Sequence, residues 1–195
     1  MAKVRVTASR PIYPTPAALV TSVAADGKPN IIALGEVFNV SLSRPPIVGI
    51  SVRKATYSHS LISASREFVL NMPTTELMRQ TEICGSTSGR DTDKFAVTGL
   101  TPLKASLVAP PLIAECVVSL ECRVVFIRET GDHDLFLGEV VAAHADERIL
   151  GPEGEVMLDR LDPLIFMFNY GRPGEYWSIG RRLGDRGSAR GSGRR

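Results

Sequence analysis

Apolar and polar residues alternate most regularly between residues 115 and 126. Apolar side chains occupy the even positions from Cys116 to Phe126, and the odd positions carry Glu115, Ser119, Glu121 and Arg123. A repeat of two residues is typical of a β-strand with one buried face. We therefore predict a strand here that has one apolar, buried face and one polar face.

Further apolar runs, separated by turn residues, predict hairpins around this strand. Residues 17–24 and 30–34 are rich in strand-forming residues and flank the turn residues 26–29. After a turn at Thr130-Gly131-Asp132, residues 133–143 return as a second long apolar run. Three shorter apolar runs are also predicted to be strands: residues 46–52, 67–72 and 163–168.

Two segments have the spacing and the first residues of a helix. Thr56 stands where a helix N-cap belongs, and Thr74 opens a second segment that ends near Gly85. Many strands with only two short helices favour a mainly β fold, an antiparallel β-barrel with helices at its margin. A doubly wound parallel sheet would need more helices, and the glycines do not follow the GxGxxG spacing of a Rossmann site.

Composition and charge add little to this picture. The 195 residues are 44% hydrophobic and 23% charged, as in an ordinary soluble domain. A net charge of +2 does not favour nucleic acid, and no apolar run reaches the roughly 18 residues of a membrane span. We predict one domain over residues 1–184 and a disordered basic tail over residues 185–195. For that tail, a solvated state is favoured over binding to RNA or an acidic surface.

The cysteines and histidines do not predict a metal site. Cys84, Cys116 and Cys122 lack CxxC spacing, so we interpret them as buried reduced thiols of a cytoplasmic protein. The histidines have no metal-ligand spacing. His59 is expected on a helix surface or at a dimer contact, and His144 has no recognisable role. No GxSxG elbow supports a hydrolase.

Two segments combine positive charge with hydroxyl groups. Residues 51–58 carry Arg53 and Lys54 at the predicted start of a helix, and residues 84–95 join glycines and serines to further basic side chains. Free N–H groups and the helix dipole at such a start favour an anion. The first pair of charges could instead be solvated at a strand end. Together, the two segments predict a site for a phosphorylated cofactor.

From about Pro14 to Gly180 the chain resembles the flavin reductase-like family, whose members have an FMN-binding split barrel, and in particular its flavoredoxin-type branch. The motifs that carry the resemblance stand in family order: Ser51-Val-Arg53 with Tyr57-Ser58, Glu67-Phe-Val-Leu-Asn71, Cys84-Gly85, Ser88-Gly-Arg-Asp91, Asp93-Lys-Phe95, Gly99-Leu-Thr101, Gly131-Asp-His133 and Tyr176-Trp177-Ser-Ile-Gly180. Each motif is weak by itself, but their shared order is specific.

The resemblance implies a homodimer that binds FMN non-covalently near the subunit interface and takes electrons from NADH or NADPH. It assigns the phosphate and ribityl side to one group of residues: Ser51, Arg53, Tyr57, Ser58, Ser88, Gly89, Arg90 and Lys94. It places Val37, Phe38 and Asn39 along the isoalloxazine ring. His133 is either a nicotinamide contact or an ordinary turn residue. We assign no catalytic residue, because hydride transfer between two cofactors needs no protein acid or base.

The expected function is therefore that of an oxidoreductase passing electrons from NAD(P)H through flavin to an acceptor. One alternative is an FMN-binding electron carrier that a partner protein reduces. A second is a flavin- or nucleotide-binding module that senses without turnover, which only the basic tail supports. Tyr176 and Trp177 could cover the flavin, pack on a partner subunit or belong to the core.

Overall fold

The computed structural model describes residues 2–5, 12–168 and 173–183, and the predicted tail at 185–195 lies outside them. The described strands are β1 (Thr15–Pro16), β2 (Ala18–Val23), β3 (Pro29–Leu34), β4 (Val37–Ser41), β5 (Ile47–Arg53), β6 (Glu67–Met72), β7 (Pro102–Leu103), β8 (Leu112–Ile113), β9 (Val118–Thr130), β10 (His133–Ala145), β11 (Leu164–Met167) and β12 (Glu175–Ser178). The helices are α1 (Tyr57–Ser65), α2 (Met78–Ser86) and α3 (Lys94–Thr98), with 3-10 turns at Thr75–Leu77, Glu147–Ile149 and Leu158–Arg160.

One large sheet organises the molecule. Its seven strands follow the order β3-β2-β6-β9-β10-β5-β4, and every neighbouring pair is antiparallel. The long hairpin of β9 and β10 turns at Gly131, whose φ of 71° suits glycine. Register shifts in this hairpin mark bulges, which bend strands. The antiparallel split-barrel fold predicted from the sequence is confirmed.

An apolar core fills the inside of the barrel. Ile62 of α1 packs into it, so this helix closes the barrel beside β2, β3 and β5. Side chains from six strands surround it: Ala18, Val20, Leu34, Val48, Ile50, Val52, Phe68, Leu70, Cys122, Val124 and Phe136. Burial of such side chains is the main term that favours this fold.

A second core lies on the other face of β2 and β3. Leu19 and Ile31 point to that face and pack against Leu77, Cys84 and Phe95, which the α2 and α3 region supplies. Helix α3 was not predicted. Asp93 caps it by accepting a hydrogen bond from the N–H of Ala96 at 3.2 Å. This second core holds residues 78–98 against the barrel wall.

The polar face of β9 is buried at Ser119 and Glu121 and exposed at Arg123, so it differs in part from the expectation of one buried face. Glu121 is fully buried and Ser119 is 4% exposed, because residues 104–111 cross that face. The Glu121 carboxylate accepts the N–H groups of Ser106 and Leu107 at 2.7 and 2.6 Å, and His144 Nε2 lies 2.6 Å from it. His144, for which the sequence suggested no role, helps to hold this segment.

The three thiols are buried and free, as predicted. Strand β9 begins after Cys116, so Cys116 packs with Cys84 in the second core while Cys122 faces the first. Burial raises the pKa of Cys84 to about 11 and that of Cys122 to about 12. None of the described helices is long and apolar enough to cross a membrane.

A small sheet lies beside the barrel. Strands β1, β11 and β12 pair antiparallel in the order β1-β11-β12. The sequence predicted the strand at 163–168 as the last one, yet β12 follows it. Phe166 of β11 pairs with Tyr176 of β12, which gives this sheet an aromatic surface next to β3.

Candidate functional site

Two neighbouring cavities form a continuous groove between β3, the β5–α1 corner and α2. They have volumes of about 400 and about 380 Å³, within the usual range for ligand pockets. The cavities share a wall of five residues: Ile32, Arg53, Thr56, Gly85 and Ser86. We name the part lined by residues 55–58 and 84–94 the basic end, and the part lined by Phe166, Phe168 and Tyr176 the aromatic end.

The start of α1 forms one side of the basic end. Thr56 is the N-cap, and its Oγ1 accepts a hydrogen bond from the N–H of His59 at 3.3 Å. The first N–H groups of a helix have no partner within the helix. Ser58, on the first turn, is 3% exposed, and its Oγ lies 2.8 Å from Asn30 Nδ2 of β3. This corner therefore offers hydrogen-bond donors to an anion.

The loop after α2 forms the opposite side of the basic end. The Ser88 Oγ accepts a hydrogen bond from the N–H of Arg90 at 3.2 Å. The Arg90 guanidinium donates to the carbonyl oxygen of Ala55 at 3.2 Å and lies 5.5 Å from the centre of the Tyr57 ring. These contacts join the two basic segments that the sequence singled out.

Lys94 is a buried cation beneath this loop. It is 5% exposed, lines the basic end, and donates from Nζ to the Cys84 carbonyl oxygen at 2.7 Å. Burial lowers the pKa of Lys94 below its ordinary value, because a charged amine loses hydration there. No carboxylate within residues 2–5, 12–168 and 173–183 forms an ion pair with this ammonium, and an anion in the groove would supply the opposite charge.

The aromatic end is built by the small sheet. The rings of Phe166 and Phe168 meet edge to face at 4.5 Å, and the Tyr176 ring lies 5.1 Å from that of Phe166. The Tyr176 hydroxyl donates to Glu82 at 3.0 Å, and burial together with this carboxylate raises the pKa of Tyr176. A Cβ on Gly35 would lie 3.1 Å from the Phe168 ring, so the chain passes close to the aromatic wall there.

His133 stands at the rim of the aromatic end. It pairs across the sheet with Arg53, which lines both ends of the groove. His133 Nδ1 lies 2.8 Å from Asp132 Oδ1, and the Arg53 Nε lies 4.0 Å from the other oxygen of that carboxylate. The hydrogen bond from His133 lowers the pKa of Asp132. The ring of His133 is thereby oriented at the entrance.

The structure brings most of the predicted cofactor residues together. Those that line the groove are Arg53, Tyr57, Ser58, Ser88, Gly89, Arg90 and Lys94. Val37, Phe38, Asn39 and Ser51 line neither cavity; the residues just before them do, namely Leu34, Gly35 and Glu36. The N–H of Ser51 donates to the Glu36 carbonyl oxygen at 2.9 Å, so it supports this wall from outside.

Some residues in the groove or directly behind it escaped the sequence analysis. Asn30 carried no signal beyond a polar side chain inside an apolar run, and Phe166 and Phe168 were assigned only to the core. His59 lies neither in the groove nor on an open surface. Its Nε2 is 2.8 Å from Asp134 Oδ2 and its ring meets Phe136 edge to face.

Comparisons with known proteins agree with this architecture. A flavoredoxin from Methanosarcina acetivorans superposes with a TM-score of 0.87 at 30% identity, over 97% of this chain and 99% of the other. A flavoredoxin from Desulfovibrio vulgaris (Miyazaki F) gives 0.87 at 32% identity, over 96% and 99%. A flavin reductase from Pseudomonas putida is 30% identical over 128 residues, 66% of this chain and 71% of the other. The sequence pattern of the flavin reductase like domain matches residues 9–176, and the chain therefore belongs to that family.

Proposed function

We propose that this protein is an FMN-binding oxidoreductase of the flavin reductase type, which takes electrons from NADH or NADPH and passes them to an acceptor. The observation that carries the proposal is the continuous groove with a basic end and an aromatic end. FMN has the same division into a phosphate and an apolar ring with polar edges. The likeness to two flavoredoxins and to a flavin reductase supports this assignment.

The basic end fits the phosphate. Arg53, Arg90 and Lys94 supply positive charge, while Ser58 and Ser88 supply hydroxyls. Charge-assisted hydrogen bonds from such groups are the strong ones. The buried ammonium of Lys94 has one carbonyl partner among the described contacts, and an ammonium carries three donors. A phosphate would therefore supply hydrogen-bond partners to this ammonium, since a buried charge without partners costs free energy.

The aromatic end fits the flavin ring. Phe166 and Tyr176 present apolar surface, and the backbone at 34–36 borders the same cavity. At Gly35 that backbone lies against the Phe168 ring, so its polar groups stand beside the aromatic wall, where the polar edge of a flat ligand would bind. Val37, Phe38 and Asn39 stay predicted ring contacts; they begin β4 directly after this border.

The flavin supplies the redox chemistry, since its ring accepts a hydride and releases electrons to an acceptor. The residues of the chain bind the flavin and orient it and the nicotinamide relative to each other. His133, held by Asp132, stands at the open rim of the aromatic end, where a nicotinamide would approach. Its proposed role is contact with the nicotinamide, without proton transfer.

A second candidate is an electron carrier that a partner protein reduces. The likeness to two flavoredoxins, which covers nearly the whole chain, favours the carrier. It does so as specifically as the likeness to the flavin reductase favours the reductase. In this case the rim at His133 would be a contact for a protein and would bind no nicotinamide.

An anaerobic absorbance titration separates the candidates. The purified full chain is loaded with FMN, and NADPH and then NADH are added without any partner. Rapid bleaching of the flavin band supports the reductase and identifies the donor. A flavin that stays oxidised with both donors, yet bleaches with dithionite, supports the carrier. Failure to bind FMN at all would contradict both candidates.

We also propose a homodimer that uses the outer face of the sheet. Phe38, Gly49, Leu137 and Phe126 stand opposite one another across four neighbouring strands. The Phe38 ring covers Gly49, where a Cβ would lie 2.5 Å from it, and Phe38 and Phe126 are each about half exposed. Such a contiguous apolar patch on a soluble protein is typical of an interface.

The chain's proposed location is the cytoplasm. The support is its three buried free thiols, since disulfides are rare in that compartment. The proposed domain, residues 1–184, contains the whole segment that matches the family pattern.

A further inference from the structure

Asn30 lies behind the basic end of the groove and is not part of its lining. It is 5% exposed, belongs to β3, and stands opposite Ser22 of β2. Its Nδ2 donates to Ser58 Oγ at 2.8 Å and more weakly to Ser22 Oγ at 3.3 Å. One buried amide thus connects the barrel wall to the first turn of α1.

The orientation of this amide follows from its other side. The Asn30 Oδ1 is buried and has no hydrogen-bond partner in the described part of the chain. It points at Gly89, where a Cβ would lie only 1.8 Å away. The opposite orientation would turn the NH₂ group toward that CH₂ and leave two donors unpaired in place of one acceptor. The hydroxyls of Ser22 and Ser58 can both accept hydrogen bonds from the amide. The observed orientation therefore leaves the fewest buried polar groups without a hydrogen bond.

This amide decides what the Ser58 hydroxyl can do. A hydroxyl has one proton and two lone pairs. When Asn30 donates to one lone pair, the Ser58 proton is free for another acceptor, and Ser58 itself lines the basic end. A hydroxyl already accepting a hydrogen bond is also a better donor, because bonds in a chain polarise one another.

We infer that Asn30 is a positioning residue of the phosphate end, fixing the Ser58 hydroxyl as a donor toward the flavin phosphate. The inference rests on the proposed function. Asn30 does not touch the phosphate itself, and Gly89 is needed because any side chain there would displace the amide. The groove would thereby prefer FMN over riboflavin, which has the same ring and no phosphate.

The test compares dissociation constants for FMN and riboflavin in the full chain after removal of bound flavin. Asn30→Ala and Ser58→Ala should each weaken FMN about tenfold, as expected for one hydrogen bond to a charged group. Both should leave riboflavin within about twofold. The double variant should be no worse than Ser58→Ala, since the amide acts only through that hydroxyl.

Two further variants keep the test decisive. Asn30→Asp has nearly the same shape, and its carboxylate would accept the Ser58 proton, so FMN should weaken more than in Asn30→Ala while riboflavin does not. Asn71→Ala is the matched control: it removes another buried strand asparagine, bonded to Ser119 and remote from the groove. It should lower stability without changing the preference for FMN.

The outcomes distinguish a failure of this inference from a failure of the proposed function on which it rests. An unchanged FMN preference in both Asn30 variants, or additive losses in the double variant, would overturn the inference alone. A wild-type chain that binds neither flavin would overturn the proposed function and the inference with it.

Discussion

Lys94 donates from its Nζ to the carbonyl oxygen of Cys84 at 2.7 Å, and both side chains are buried. The contact fixes a cation below the loop that carries Ser88 and Arg90. Burial lowers the pKa of Lys94, because the charged amine loses hydration there.

This lowered pKa predicts that FMN affinity depends on pH. As the pH rises through the pKa of Lys94 toward the ordinary value of 10.5, the amine loses the charge that attracts phosphate. FMN affinity should fall there, and riboflavin affinity should fall less. Fluorescence titration at several pH values measures both.

Substitutions at this position supply the controls. Lys94→Met should weaken FMN about thirtyfold at neutral pH and abolish the difference in pH profile between the two flavins. Lys94→Arg keeps its charge, so its FMN affinity should stay constant over the same range. Parallel profiles for FMN and riboflavin in the wild type would rule out a phosphate contact by Lys94.

Glu121 should stabilise the fold in a manner that depends on pH. Burial raises its pKa, but the N–H groups of Ser106 and Leu107 and the bond from His144 outweigh this, and the net pKa is lowered. The stabilisation is therefore fully present when the pH is above the unfolded-state pKa of Glu121, about 4.5. It is lost as the pH falls through the folded-state pKa.

Glu121→Gln should lower the free energy of unfolding by about 2 kcal/mol at pH near 7, a typical contribution of hydrogen bonds to a charged group. The difference from wild type should shrink at acidic pH, where the carboxyl is protonated. Urea unfolding measures both values, with the exposed Glu153→Gln as control. A difference that does not vary with pH would exclude the charged carboxylate as its source.

His133→Asn tests the rim of the aromatic end. If His133 contacts the nicotinamide, the KM for the reduced nicotinamide should rise about tenfold, the effect of one lost hydrogen bond in a binding site. The dissociation constant for FMN should stay unchanged. Steady-state kinetics and a flavin titration measure the two quantities. An unchanged KM would leave His133 as a turn residue only.

Phe126→Arg tests the proposed dimer. A guanidinium at the β9 end of the apolar row that also contains Phe38 and Leu137 would be buried in the dimer without a partner, which costs several kcal/mol. The mass in solution, measured by light scattering, should fall from that of a dimer to that of a monomer. Leu158→Arg introduces the same charge at an exposed apolar residue elsewhere and should leave the mass unchanged. A Phe126→Arg dimer would place the interface on another surface.

Local signals in the sequence were sufficient for many elements. The strand at 67–72 and the N-cap Thr56 lie where the pattern predicted them, because turn residues and capping hydroxyls act within a few positions. The basic end was likewise predictable, because its two segments can be identified in the sequence by their positive charge and their hydroxyl groups.

Long-range packing accounts for what the sequence did not predict. Glu121, on the polar face of β9, should have met water, but the segment 104–111 covers it and gives it backbone partners. The aromatic end depends on β12 pairing with β11. Nothing in either segment alone shows that Tyr176 will face residues near position 35.

The order of the groove's parts along the chain has a consequence for biosynthesis. Residues 30–94 contain every lining residue of the basic end, whereas the wall of the aromatic end is complete only with Tyr176. A ribosome releases the first part well before the second. The basic end nonetheless cannot assemble before β10 has emerged, because β5, which carries Arg53, joins the rest of the large sheet through β10. The wall of the aromatic end must wait longer still, until β12 has emerged and joined β11.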